Sequence, residues 1–260
     1  MRHLKIYEKY QTEEEVAKIC QKYGITNWSI NSDGLVDVNG DVELYKMSLE
    51  KLPLKFGKVT GYFDCANNQL KTLQGAPHSV ERNFYCHDNK LTTLEGGPKT
   101  VGGTFDCHDN ELTTLEGAPE TVGGSFSCFN NRLTTLLGSP RSVERNFICL
   151  NNRLTTLQGS PRSINGYFDC SNNKLTTLEG APETVDVSFA CQNNQLTTLE
   201  GGPETIGGIF ICDNNPLNIL IKRNLKHIKH ILANQDIYKI YNPDGSINEY
   251  RFKLMMDSMD

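Results

Sequence analysis

A cysteine recurs every 21 residues, at positions 65, 86, 107, 128, 149, 170, 191 and 212. No other feature limits the fold of this chain as tightly. A unit repeated at a fixed period of about 20–50 residues cannot bury its apolar face alone, so it must stack on its neighbours. Other columns keep the same step. A phenylalanine stands two residues before each cysteine, from Phe63 to Phe210, and a Val or Ile four residues before each phenylalanine. Asparagine follows three residues after the cysteine, from Asn68 to Asn215, and two leucine columns run from Leu70 and Leu73 to Leu217 and Leu220. A proline column runs from Pro77 to Pro203. One step upstream, Val38, Val42, Leu44, Met47, Leu49 and Leu52 preserve the pattern without its Phe, Cys and Asn. That is a degenerate terminal repeat, as expected where one side faces a cap.

The spacing Phe-x-Cys-x-x-Asn-x-Leu-x-x-Leu has a direct physical reading. Phe105 and Cys107 are two apart, so in extended chain they share a face, and parallel stacking about 4.8 Å apart buries that face continuously. Asn110 ends the strand with an amide able to satisfy backbone groups in the turn. Leu112 and Leu115 fill the core beneath it, and Glu-Gly-Ala-Pro suits an irregular return with no room for a long helix. The glycines of Val-Gly-Gly are expected to relieve a tight bend before the next strand. This is leucine-rich-repeat chemistry. The fold class expected is therefore an α/β repeat solenoid of about nine 21-residue repeats. Its parallel β-sheet lies on the concave face, its convex side is irregular, and a cap closes each end. The divisions expected are an N-terminal α/β cap over 1–37, the array over 38–220 and a mainly helical C-terminal cap over 221–260.

Pro119, Val122, Phe126, Cys128, Asn131, Leu133, Thr134 and Leu136 carry a resemblance to the short leucine-rich repeats of bacteria, including those of secreted effector ligases. This unit is one residue longer and has Gly-Ala-Pro where those have Leu-Pro. The run "LPLKFGKVTGYFDCANNQL" with tandem "LEGAPETVGG" resembles more closely the leucine-rich-repeat proteins encoded by bacteriophages, over about residues 30 to 220. The resemblance implies a bacteriophage-encoded, non-enzymatic protein acting in the bacterial host cytoplasm, where it binds and blocks a host or defence protein. No ligase domain of the effector kind has room here.

Charge narrows the partners. The net charge of −5 divides into −1 over 1–56, −6 over 57–220 and +2 over 221–260. An acidic central array argues against nucleic acid, which needs clustered Lys and Arg. No basic segment followed by an apolar run opens the chain, and no uninterrupted apolar stretch approaches about 18 residues, so neither a signal peptide nor a membrane span is expected.

Nine cysteines raise disulfide and zinc readings. A single linear column suits neither, since zinc gathers its ligands around one point, and in-register side chains keep Cβ atoms further apart than the ~3.8 Å of a disulfide. Small buried thiols in a reducing compartment fit better, with Cys20 on the apolar side of a helix. No cofactor and no metal is expected.

The residue after the ladder cysteine varies: Ala66, His87, His108, Phe129, Leu150, Ser171, Gln192 and Asp213. His87 and His108 would be neighbours, with Asp88, Asp106 and Asp109 close by. They read as a polar stretch of a solvated surface duplicated by repeat copying, or alternatively as a metal site or a pH-sensitive contact. Phe129 and Leu150, with Ile148 on the same face and Tyr85 beside the histidines, form an apolar run where polar residues are usual, and such clusters mark partner surfaces. The candidate partner-binding set is Tyr85, His87, Asp106, His108, Phe129, Ile148 and Leu150. It serves a protein partner or, as an alternative, a second copy in a homo-oligomer or a virion scaffold. Ile209 and Ile211 are expected to pack under the C-terminal cap.

At the ends, Thr12 and Glu15 form a capping box for a helix over 13–23 that stops at Gly24. A strand near 27–30 follows, with turns at Asp33-Gly34 and Asn39-Gly40. A basic amphipathic helix is expected over about 218–233, apolar at Leu220, Ile221, Leu225, Ile228 and Leu232. A short strand, an Asn-Pro-Asp-Gly turn and a final helix come last, with Tyr238, Tyr241, Tyr250 and Phe252 as packing residues.

Overall fold

The structure is a computed structural model that describes residues 12–259; the first eleven residues, the start of the expected N-terminal cap, and Asp260 lie outside them. Each 21-residue unit contributes two short strands with a corner between them, most of them two residues long, such as Thr121–Val122 and Phe126–Ser127. Strands after the corner form a nine-stranded parallel sheet from Val42–Glu43 to Phe210–Ile211. Its register follows the repeat, with Phe126 opposite Phe105 and Phe147. Strands before the corner form a second parallel ladder. Six of its strands run from Val36–Val38 to Ser142–Val143, in a seven-stranded sheet that Trp28–Ile30 completes, and three more run from Ser163–Ile164 to Thr205–Ile206. The solenoid and its periodicity match the expectation, and the second ladder adds to it. The Val or Ile four residues before each Phe faces inward there, and a β-branched inward residue with free backbone partners on both sides suffices for a short strand.

Phe, Cys, Val and both Leu of each complete unit point inward, and the ladder phenylalanines from Phe63 to Phe189 are fully buried. Their rings follow one another at 5.2–5.6 Å from Phe63 to Phe210. The ladder cysteines are free and buried. Burial pushes their thiols well up from the ordinary value, to about 11 at Cys212 in the last unit.

Buried asparagines bolt the units together. Asn131 donates from Nδ2 to the carbonyls of Cys128 and, one unit back, Cys107, both at 3.1 Å. Its Oδ1 accepts the N–H of Leu112 at 3.0 Å. The return arc turns at the glycine of Gly-Ala-Pro, where φ is +72° to +96° from Gly75 to Gly201, a conformation that needs glycine.

At the N-terminus, helix α1 (Glu13–Tyr23) has its capping box between Thr12 and Glu15 and its left-handed stop at Gly24. It buries Val16 and Cys20. Trp28–Ile30 pairs antiparallel with Val36–Val38 and ends the seven-stranded sheet. In the degenerate repeat Met47 departs from expectation and is exposed, while Val38, Val42, Leu44, Leu49 and Leu52 are buried.

The expected single helix over 218–233 is broken. It becomes α2 (Ile219–Arg223), one 3-10 turn at Leu225–His227 and α3 (Ile228–Tyr238). The break falls at Asn224, whose side-chain amide donates to the Leu220 carbonyl at 2.7 Å and competes with the helical ladder. The rotation turns Leu225 out to solvent and brings in Ile231, beside the expected Leu232. Tyr241 and Ile247 bridge the final turn antiparallel, and α4 (Glu249–Asp257) follows. Phe252 packs as expected, whereas Tyr250 is 73% exposed because it lies on the outer side of α4. Among the described residues no helix is long and apolar enough to cross a membrane.

Candidate functional site

The seven candidate residues fall on four successive units of the nine-stranded sheet. Tyr85, Asp106, Ser127 and Ile148 are register partners in the outward strand position. His87, His108, Phe129 and Leu150 follow two residues later in each unit. The repeat thus brings all seven onto one strip. All seven are half-buried, not exposed as a solvated face would be. The reason is spacing: planar side chains one strand apart shield one another. His87 and His108 stack with centroids 4.4 Å apart, and His108 and Phe129 at 4.3 Å, their planes within 10°. Tyr85 meets His87 edge-on at 6.1 Å, and its hydroxyl accepts from the Asn83 amide at 2.7 Å.

The aspartates have a structural reason that the sequence pattern holds but column-by-column reading alone reveals. Asp88 and Asp109 occupy the column otherwise filled by Asn67, Asn130, Asn151, Asn172, Asn193 and Asn214, where φ is +49° to +56° throughout. Asn and Asp tolerate that left-handed backbone better than other non-glycine residues. Asp106 belongs to a second set. Asp64, Asp106 and Asp169 each accept the N–H two residues on, at 2.9, 3.3 and 3.0 Å. The His-Asp pairs are therefore histidines inserted beside carboxylates that the backbone already favours.

Those carboxylates surround the imidazoles. Asp106 Oδ1 lies 2.6 Å from His108 Nδ1, and its Oδ2 lies 4.0 Å from His87 Nδ1. On the far edges, Asp88 is 3.9 Å from His87 Nε2 and Asp109 is 3.5 Å from His108 Nε2. Burial disfavours a charged His108, but the hydrogen bond and charge of Asp106, with Asp109 and Asp88 beyond, outweigh it and hold its pKa above the usual imidazole value. Nδ1 of His87 is closed off from solvent and has no hydrogen-bond partner among the described residues. Asp64, one unit upstream, has its carboxyl raised chiefly by burial. It joins this electrostatic neighbourhood although the sequence reading did not name it.

Two other surfaces are distinct. Ile209 is 65% exposed and Ile211 half-buried, so the described cap does not cover the pair as expected; α3 packs on the neighbouring strand Thr205–Ile206 instead. On the second sheet an open groove of about 550 Å³ is floored by Ser79, Thr100, Thr121 and Ser142. Its bordering Glu81 is paired with Lys58 at 2.7 Å and Glu144 accepts from Ser142 at 2.9 Å.

No protein family description and no curated protein matches the chain. Among solved structures, YopM from Yersinia enterocolitica WA-314 is similar at 18% identity, with a TM-score of 0.37, over 68% of this chain and 56% of that one. The chain thus spans little more than half the length of that protein.

Proposed function

We propose that this protein is a non-enzymatic protein-binding module whose contact surface is the strip from Tyr85 to Leu150. The observation that carries the reading is the stacked column His87–His108–Phe129, continued on neighbouring rungs by Ile148 and Leu150. Side chains held against one another by the repeat lose little freedom when a partner arrives, and aromatic anchors in a polar rim are what tight interfaces use. Asp64, Asp88, Asp106 and Asp109 supply that rim and favour a partner with basic residues around an apolar centre. A bacterial host protein, bound and blocked by a phage-encoded chain, is the partner class that the sequence resemblance suggests.

The test is affinity capture from bacterial lysate, in the presence of EDTA, with wild type and a Phe129→Asp/Leu150→Asp variant. Aspartate occupies the same column at Asp213, so the variant is expected to fold. One protein recovered in stoichiometric amount with wild type and lost with the variant supports the strip. Equal recovery by both places the contact elsewhere, and recovery by neither removes the reading for that host.

A further inference from the structure

His87, Asp106 and His108 place three metal-ligating atoms within 4.8 Å of one another. We propose that these residues bind one divalent transition-metal ion of the class that accepts imidazole and carboxylate together, with Zn²⁺ as its representative, water completing the coordination.

The donor arrangement supports this in three ways. First, Asp106 stands between the two imidazoles, with separations of 2.6 and 4.0 Å to their Nδ1 atoms. A tetrahedral ion with bonds of about 2.1 Å spaces its donors about 3.4 Å apart, a value these two distances bracket. Second, the buried Nδ1 of His87 has no hydrogen-bond partner. Buried polar atoms are nearly always satisfied, and an ion beside Asp106 would satisfy this one. Third, the outer nitrogens face carboxylates, Asp88 at 3.9 Å and Asp109 at 3.5 Å. At these separations the carboxylates act through their charge, which favours a cation held by the two rings. The ladder thiols do not compete, because they are buried and held protonated by burial.

Binding releases to solvent the proton shared by His108 Nδ1 and Asp106 Oδ1, and it requires one rearrangement of the rings. The stacked imidazoles are parallel to within 8°, and each Nδ1 lone pair lies in its ring plane, so one ion cannot meet both lone pairs while the rings stay stacked. His108 keeps its stack on Phe129 when the ion replaces the Nδ1 proton, whereas His87 lies at the end of the stacked column and its Nδ1 makes no hydrogen bond, so His87 is the ring that tilts. Binding therefore opens the His87–His108 stack.

The experiment uses the tag-free full chain, stripped of metal and titrated with ZnCl₂ by calorimetry, with histidine ring resonances followed by NMR. The expected result is one saturable site per chain, with ring shifts at His87 and His108 and none at His78 or His227. The variants come from the protein's own columns. His87→Gln copies Gln192 and is expected to lower affinity about 100-fold or abolish it, while Asp88→Asn copies Asn130 and lowers it about 10-fold. Both are expected to fold without metal, which a cooperative melting transition checks. No saturable binding by wild type overturns the proposal, and so does binding that survives His87→Gln undiminished. Partner capture in EDTA is independent of this result, so the ion and the protein partner can fail separately.

Discussion

Asp64 shows how a repeat position can serve the backbone and still carry an electrostatic penalty. Its carboxylate accepts the Ala66 N–H at 2.9 Å, a bond that an amide oxygen makes equally well. Burial raises its pKa, and Glu43 adds to the rise, although Ala66 and His87 oppose them. A carboxyl whose folded pKa lies above its unfolded value binds more protons folded than unfolded between the two, so stability falls as pH rises through that window. Asp64→Asn removes the penalty and keeps the hydrogen bond. The variant is expected to match wild type below the ordinary carboxylate range, to gain on it as pH passes through the raised pKa, and to stay more stable at neutral pH. Urea midpoints at pH 3.5, 5 and 7 check this; a variant less stable than wild type at pH 7 would show that the charge is favourable where it stands.

At the scale of the element, the C-terminal cap works by imitating the repeat it replaces. Within the array, Leu136, Leu157 and Leu178 each donate their N–H to a carbonyl of the next unit. Leu199 has no next unit, and its N–H donates instead to the Tyr241 hydroxyl at 3.0 Å, while Gln235 on α3 donates to its carbonyl at 2.9 Å. Burial pushes the Tyr241 hydroxyl up to about 12, consistent with a phenol that remains neutral. Tyr241→Phe keeps the ring and strands the Leu199 N–H, which is expected to cost about 1–3 kcal/mol. Protection of the Leu199 amide in hydrogen exchange is expected to drop with it; an unchanged exchange rate would mean that another acceptor takes over. This cap marks the limit of what sequence reading supplied. The array was legible because one constraint, a 21-residue step, acts on every column at once. The cap helices are unique segments, and the amphipathic pattern over 218–233 could not show that Asn224 would bond to Leu220 and break the helix. The strip was legible as a set of neighbours, since register fixes neighbours. Its stacking was not, because ring orientation depends on χ angles that no column of letters records.

Across the whole molecule, stability is carried by contacts between nearest neighbours, so the value of a residue depends on where its unit sits in the stack. The phenylalanine column isolates this effect because its chemistry is constant. Phe126 has ring neighbours on both sides, Phe105 at 5.5 Å and Phe147 at 5.2 Å, and no solvent exposure. Phe210 has one ladder neighbour, Phe189 at 5.6 Å, and is half-buried at the open end of the nine-stranded sheet. Phe126→Ala removes a fully packed ring and interrupts coupling between the two halves of the array, which is expected to cost about 3–5 kcal/mol. The same change at Phe210 gives up less buried area and breaks no coupling beyond it, so roughly half that loss or less is expected. The shape of unfolding should differ as well. A broken centre lets the halves unfold separately and broadens the urea transition measured by circular dichroism, whereas a weakened end frays and leaves the main transition steep. Equal losses and equally steep transitions in the two variants would show that the solenoid unfolds as one unit whose ends count as much as its middle.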